Sequence, residues 1–499
     1  MGCVRKGGST GSRGGLRAAC VLAILTGVAP SAAHAELPSA SSDQFPVTNG
    51  VVNVVVVHEY GGPIVIGGSF TTVTVPGQAP VARQNVAIVS NGAVADWNPG
   101  VNGPVHSLGF RNSDVIIGGQ FSSVGGLTRN NGAAVDMYDG TIKAWHPDTN
   151  GTIRAIEVDR NKSTVFIGGD FTTVRGEARN RAAAVSLVNN VTPWNPSANG
   201  TVNALERGVD SDIIYAGGSF TSIGGQPRNN IAALESTVPD GTGAATSFNP
   251  NSACAVNDVE ASHHYNIVAD GCYAPMIGGS WQRLAQFTPS GAKTNWEPNP
   301  NAQPTVISYN GHNVYVGGPF TSIGGKARNQ LAAIDYDGNA TNWNPNVGGG
   351  TVRGIGEYYR PYAPPGGEYV YYEDVYVGGS FTSVGGQARS NLAGFIGPSD
   401  VNASSGSPPT LSGDAVQGEA LVTTDGGWEG TPESFVYTWE RCNVAGSGCA
   451  VVPGAKQRDY TMRAADIGSR MRATVTACDG PFCDSASTAV SMPVLPSTP

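Results

Sequence analysis

The chain has 499 residues, with 29 Lys and Arg against 38 Asp and Glu, a net charge of −9. That balance argues against nucleic-acid binding, which a cationic surface drives. Charged residues make up only 13% while Gly (69) and Pro (33) are abundant, the composition of a fold built on many tight turns, and no apolar run reaches the ~20 residues of a membrane span.

Residues 1–35 read as a secretory signal peptide. Arg5, Lys6, Arg13 and Arg17 form its basic start, Ala18 to Ala29 its apolar stretch and Ala33-His34-Ala35 its cleavage site. The mature chain is expected to begin at Glu36, and losing four basic and no acidic residues takes the net charge from −9 to −13. The localisation expected is secreted, either extracellular or held at the cell envelope.

From about residue 45 to 396 the chain repeats. Seven times a short β-branched run ends in Gly-Gly-x-aromatic, at Gly67, Gly118, Gly168, Gly217, Gly278, Gly317 and Gly378, with starts 51, 50, 49, 61, 39 and 61 residues apart. That period belongs to a propeller blade. The copy over 201–250 contains four strand-like runs separated by turn chemistry, which predicts one four-stranded antiparallel sheet per unit.

The repeated residues read as scaffold. The glycines end the second strand where a side chain would obstruct the neighbouring backbone or where positive φ is needed. The aromatic that follows, and Trp97, Trp145, Trp194, Trp296 and Trp343 of Trp-x-Pro with Phe248 in one copy, supply buried area between blades. Arg83, Arg129, Arg179, Arg228, Arg328 and Arg389 recur at one position and are expected to clamp loop carbonyls or a neighbouring blade.

Two copies depart from the pattern. The seventh lacks Trp-x-Pro, but Gln44-Phe45-Pro46 with Asn49-Gly50-Val51 aligns with Trp194-Asn195-Pro196 and Asn199-Gly200-Thr201, so residues 43–46 are expected to supply its fourth strand and close the ring. The first copy is therefore preceded by the last strand of the seventh. In the fifth, Gly278-Gly279-Ser280-Trp281 runs straight into Gln282, as if a loop were deleted, and a Cys254–Cys272 disulfide would compensate.

Cys254, Cys272, Cys442, Cys449, Cys478 and Cys483 form three local couples, which in an exported chain read as disulfides. The last four are spaced wrongly for paired C-x2-C zinc knuckles, and no metal site is expected. Beyond a Ser/Gly/Pro-rich linker, 409–494 alternates apolar and polar residues around Trp428, Trp439 and Tyr460, as in an immunoglobulin-like sandwich.

The pattern Gly-Gly-x-Phe-Thr-Ser-x-Gly-Gly-x-x-Arg-x-x-Leu-Ala, then Gly and Trp-x-Pro, as in Gly378 to Ala393 and Gly338 to Pro345, resembles the delta-60 repeat family of extracellular propellers, distantly like kelch repeats. That family has no settled catalytic motif, so the resemblance implies a scaffold. Gly427-Trp428, Tyr437-Thr438-Trp439, Asp466-Ile467-Gly468 and Val475-Thr476-Ala477 resemble Ig-like modules appended to secreted actinobacterial proteins. The expected fold is all-β: a seven-bladed β-propeller over 36–399 with N-terminal strand closure, a linker at 400–408, an Ig-like β-sandwich over 409–494 and a tail at 495–499.

Function is sought where the repeat varies. After the constant Val or Ile of each innermost strand come Asn53, His106, Arg154, Asn203, Asn257, Ile307 and Arg353, a column whose polar members are candidate ligand contacts at the central channel; ordinary channel lining is the bland alternative. Tyr358, Tyr359, Tyr362, Tyr369, Tyr371 and Tyr372, in an insertion of the seventh copy, are a second candidate, with a simple hairpin extension as the alternative. Architecture alone also resembles the copper radical oxidases, but the Ig-like region has no His and no close His spacing for metal occurs.

No nucleophile elbow or phosphate loop is found, and no catalytic residue or cofactor is assigned. The function expected is non-catalytic recognition of a polysaccharide or extracellular protein. A carbohydrate-active enzyme on the channel face is the alternative, and a structural surface-layer role a third.

Overall fold

The computed structural model describes residues 37–497 except 43–44, 59–62, 91, 160–161, 210, 238–240, 262–266, 274–280, 310, 363–369, 398–406, 429–431, 433 and 480–481. It is all-β, with no α-helix among the described residues. No helix there is long and apolar enough to cross a membrane.

Each repeat folds into an antiparallel sheet. In the fourth, Val202–Arg207, Ile213–Gly218 and Ile231–Glu235 pair in order, and Ala245 adds a single bridge to Leu234. The Pro of Trp-x-Pro cannot donate to a ladder, which is why the outer strand stays this short. The other inner strands are Val51–Val57, Val105–Arg111, Ile153–Asp159, Val259–Ala261, Val306–Tyr309 and Val352–Tyr362. Each lies beside the inner strand of the next unit, and Val352–Tyr362 lies beside Val51–Val57. The architecture is a β-propeller, its sheets numbered first to seventh below in chain order.

Close approach, not positive φ, explains the paired glycines. A Cβ on Gly217 would lie 2.6 Å from Cγ1 of Val256, on the next sheet, and one on Gly168 would lie 2.7 Å from Cγ1 of Val202. A Cβ on Gly218 would run into the carbonyl oxygen of Thr201. Neither glycine of these pairs has positive φ.

The aromatics bind successive sheets together. Trp194 is fully buried, meets Phe166 edge-on at 4.9 Å, and its Nε1 donates to the Glu235 carbonyl of the following sheet at 2.7 Å. Trp97 donates in the same way to Asp136 at 2.7 Å and Trp296 to Asp335 at 2.8 Å. Each such ring buries roughly 150–250 Å², on the order of 4–6 kcal/mol of gross hydrophobic stabilisation. The recurrent arginines clamp carbonyls as expected: Arg228 donates to Pro227 at 2.8 Å and Thr246 at 2.5 Å, and Arg328 to Ala327 and Thr341 at 2.8 and 2.6 Å.

The chain's N-terminal stretch packs on the seventh sheet. Ser42 N–H donates to the Gly394 carbonyl at 2.8 Å, the bond that Thr341 makes to Ala333 in the sixth. Phe45 is buried and stacks on Tyr376 at 5.3 Å, occupying the space a Cβ on Gly394 would need. Arg389 clamps the Phe45 carbonyl, and Trp343 donates to Pro38 at 2.9 Å. Asp43 and Gln44, placed in the same strand by the sequence, lie outside the described residues.

The fifth sheet corrects the reading of its repeat. Val259 pairs with Ala269 as Leu205 pairs with Ala216 in the fourth, so the positions of Gly217-Gly218-Ser219-Phe220 are filled by Asp270-Gly271-Cys272-Tyr273. Tyr273 is the buried aromatic, 4.8 Å from Phe287, whereas Trp281 is 54% exposed. From the aromatic to the first core residue of the third strand is eleven positions in both sheets, Phe220 to Ile231 and Tyr273 to Leu284, so no loop is deleted. Gly278-Gly279 falls inside that loop, at 274–280, outside the described residues.

Beyond residue 407 lie two further sheets. Leu411–Ser412, Ala420–Thr423 and Asp459–Thr461 form one; Ala450–Val451, Ser434–Cys442, Arg470–Asp479 and Phe482–Ser487 form the other. Leu421 from the first and Trp439 and Met471 from the second share one core, in which Trp439 Nε1 donates to Gln457 at 2.9 Å. The linker expected at 400–408 lies almost wholly outside the described residues.

Cys254–Cys272 and Cys442–Cys449 are disulfides. Cys478 is disulfide-bonded too and faces Cys483 across its ladder.

Candidate functional site

The variable column is a set of β-bulges. Opposite the glycine pairs the register skips one residue between Val52 and Val54, Val105 and Ser107, Ile153 and Ala155, Val202 and Ala204, and Val352 and Gly354. The skipped residues are Asn53, His106, Arg154, Asn203 and Arg353. A bulge frees its residue from the ladder and turns it toward the neighbouring sheet.

Several members staple one sheet to the next. Asn53 Nδ2 donates to the Val105 carbonyl, Asn203 Nδ2 to Val256 and Asn257 Nδ2 to Pro304, each at 3.0 Å. In the sixth sheet the same bond runs from Thr305 Oγ1 to Val352 at 2.5 Å. Thr305, not the buried Ile307, is therefore the sixth member of the column. Such side chains answer a need of the architecture, since an inner strand has a free edge whose carbonyls and N–H groups must be paired.

His106, Arg154 and Arg353 make no such staple. Arg154 Nε pairs with Asp170 at 2.8 Å, and Thr201 Oγ1 donates to the same carboxylate at 2.7 Å. Arg353 is exposed. Burial, then the charges of Arg154 and Arg353, hold His106 below its ordinary pKa, with Asp170 opposing. The collar is thus divided: arginines on the seventh and third sheets, Arg154 paired with Asp170, flank Asn53 and a His106 held toward its neutral form, and neutral staples lie on the fourth to sixth.

Deeper along the inner strands the side chains are acidic. Three residues past the bulge stand Glu157, Glu206 and Glu260, on the third, fourth and fifth sheets. Glu206 accepts from Ala261 N–H on the next strand, and Asp258 accepts from Ile307 N–H at 2.8 Å, while Ser107 Oγ accepts from Ile156 N–H at 2.9 Å. Burial, with Asp159's charge against Arg207, pushes Glu157 up to about 8, and burial pushes Asp258 up to about 7. Glu357, bonded to Ser308, rises to about 8, chiefly through burial and then the charge of Glu373. Burial and mutual repulsion raise Glu206 and Glu260 well above the usual carboxylate range. These groups keep some exposed area, yet protein surrounds them closely enough to favour the protonated acid.

The bulge column alone gives no sign of these acids. Aligning three residues further would have put Glu157, Glu206 and Glu260 in register. Among the described residues no group of three His, Cys, Asp or Glu could hold a metal ion.

Asp270 is a further buried acid. It stands at the glycine position of the fifth sheet and accepts from Asn257 N and Nδ2, Asp258 N and Gln303 Nε2, at 2.7, 2.8, 2.9 and 2.7 Å. Burial pushes its pKa up to about 7 against these four donors, which favour the ionised form.

The tyrosine insertion prolongs a hairpin. Val352–Tyr362 pairs with Val370–Gly379 through Tyr358 with Asp374, Tyr359 with Glu373, Pro361 with Tyr371, Arg360 with Tyr372 and Tyr362 with Val370. Tyr369 lies outside the described residues, and the backbone alone places Tyr359, Tyr362, Tyr371 and Tyr372. Tyr358 is half-buried.

A family model described as a domain of unknown function (DUF5122), beta-propeller, matches residues 214–236, the second and third strands of the fourth sheet. No curated protein matches the chain. The match agrees with the β-propeller architecture.

Proposed function

We propose that the chain is a secreted, non-catalytic recognition protein whose collar binds an acidic polysaccharide. The scaffold in this reading is a seven-bladed β-propeller of delta-60-like repeats closed by its N-terminal strand, followed by an Ig-like β-sandwich over 409–494. The circuit of inner strands and the packing of Phe45 on the seventh sheet support the ring. The signal-like residues 1–35 and the disulfides support export.

The observation that carries the binding reading is the pair of arginines at the collar. Arg154 and Arg353 keep their guanidinium groups at bulge positions while the equivalent residues of other sheets are used as staples. A uronic-acid chain would meet them with carboxylates, and guanidinium matches that geometry in two parallel hydrogen bonds. Calorimetric titration with polygalacturonate and with neutral dextran tests this. Polygalacturonate should bind, more weakly at high salt, and Arg353→Ala should lose roughly tenfold in affinity. Equal affinity for dextran, or an unchanged Arg353→Ala, overturns it.

A carbohydrate-active enzyme is the second reading, favoured by the convergence of proton-holding acids in the bore. It predicts turnover of an acidic glycan that Glu157→Gln abolishes while binding at the collar persists.

A further inference from the structure

Two kinds of side-chain bond sew neighbouring sheets together at the collar end. One is the bulge staple of Asn53, Asn203, Asn257 and Thr305. The other starts from the residue before the third strand, whose backbone is left-handed. Asn85, Asn131, Asn230 and Asn391, with φ between 63° and 66°, donate through Nδ2 to the carbonyls of Val101, Thr149, Ser252 and Thr48 at 2.8 to 2.9 Å. Asparagine meets both demands, because its short polar side chain tolerates positive φ and carries the donor.

Among the described residues, the seam between the third and fourth sheets alone has neither bond. Its bulge residue is Arg154 and its left-handed residue is Arg181, at φ 63°, and neither donates to the equivalent carbonyls, those of Val202 and Ala198. A long side chain at positive φ is strained, and strain of this kind gathers at functional sites. Arg154 spends Nε on Asp170 at 2.8 Å, and Thr201 Oγ1 fixes that carboxylate from the fourth sheet at 2.7 Å, so the guanidinium is oriented while its two terminal nitrogens have no partner. The Arg181 side chain is half-buried and has none among the described residues. Other acids at this end are engaged: Asp148 accepts from Asn130 Nδ2 at 2.6 Å, and Glu177 pairs with Arg179 at 3.1 Å.

Ile153 pairs with Gly169, whose N–H donates to the Arg181 carbonyl at 2.9 Å. Arg154 and Arg181 therefore stand two strand spacings apart, roughly 10 Å. Two arginine side chains can close that distance on one anion. We infer that Arg154 and Arg181 together grip one carboxylate of the acidic polysaccharide at the mouth of the third–fourth seam, an assignment that rests on the collar being its binding face. A carboxylate suits the pair, since each guanidinium offers it parallel N–H donors. With Arg154 on the innermost strand and Arg181 two strands out, the polysaccharide leaves the collar radially over the third sheet.

Arg154→Asn and Arg181→Asn, which install the residue other repeats use, are compared with wild type and Arg175→Gly by calorimetric titration with polygalacturonate at physiological salt and by thermal unfolding without ligand. Each Asn variant should weaken binding roughly tenfold, and Arg181→Asn should raise Tm as the bond to Ala198 is regained. Arg175, at φ 49° where the other repeats have Gly, already donates to the His146 carbonyl at 2.9 Å; Arg175→Gly removes the same charge from the same sheet and should leave affinity unchanged. Wild-type affinity in both Asn variants, an equal loss in Arg175→Gly, or a lower Tm in Arg181→Asn overturns the inference and leaves the collar reading, tested by Arg353→Ala, in place. A wild type that binds no polygalacturonate overturns both.

Discussion

The fourth and fifth sheets solve one packing problem with opposite chemistry. In the fourth, Gly217 vacates the space taken by Val256, and the contact between sheets is apolar. In the fifth, Asp270 stands at the same position and fills the junction with a carboxylate that holds four N–H donors, while Cys254–Cys272 ties the adjoining segment. The backbone register is the same. A repeat therefore conserves a shape between sheets, and either the absence of a side chain or a fully paired polar one can meet it.

The largest effect should come from making the fifth sheet resemble the fourth. Asp270→Gly restores the repeat residue but strands buried donors at 1–3 kcal/mol each, a loss on the order of 4 kcal/mol by chemical denaturation. If the variant is as stable as wild type, the polar junction contributes nothing. Replacing Cys254 and Cys272 by Ser should cost about 3 kcal/mol, the loop-closure entropy for a separation of 18 residues. Gly217→Ala, in the apolar junction, should cost about 1–3 kcal/mol as Val256 shifts. A silent Gly217→Ala would mean that the glycine is kept for another reason.

A separate effect is in pH dependence. Glu157 and Glu357 titrate at about 8 in the fold, against ~4.3 in an unfolded chain. The folded form then binds more protons across that window, so their stabilisation is complete below pH ~4 and is lost as pH rises through 8. Thermal unfolding should show Tm falling between pH 5 and 9. Glu157→Gln cannot ionise and should flatten the slope; an unchanged slope would place the titrating groups elsewhere.

Much of this architecture is legible in the residues. The period marks the sheets, the glycine pairs stand where backbones approach, and Arg389 awaits a carbonyl that Phe45 provides. The fifth repeat is harder because a literal Gly-Gly occurs eight residues too late. Spacing holds the clue: with Asp270 as the start, the intervals of 61 and 39 become 53 and 47. Structure identifies the residue because strand pairing, unlike a motif, tolerates Asp for Gly when the carboxylate is paired. The bore acids are harder still, since convergence of Glu157, Glu206 and Glu260 depends on three strands meeting around one axis. The split of the collar into cross-sheet staples and arginines that make none is invisible in one dimension, where Asn203 and Arg154 are simply two polar residues.

The tryptophan latch described above has a consequence for how the ring comes apart. Nε1 of Trp97, Trp194, Trp296 and Trp343 each reaches a carbonyl beyond its own sheet, but Trp145 Nε1 is buried without a partner and Phe248 has no N–H to offer. Three seams therefore lack the indole bond, those after the second and fourth sheets and the one between the seventh and the first, where Phe45 stacks on Tyr376 in place of a tryptophan. Amide hydrogen exchange in the native protein should be fastest along those seams, where a sub-global opening exposes strand edges at the least free energy.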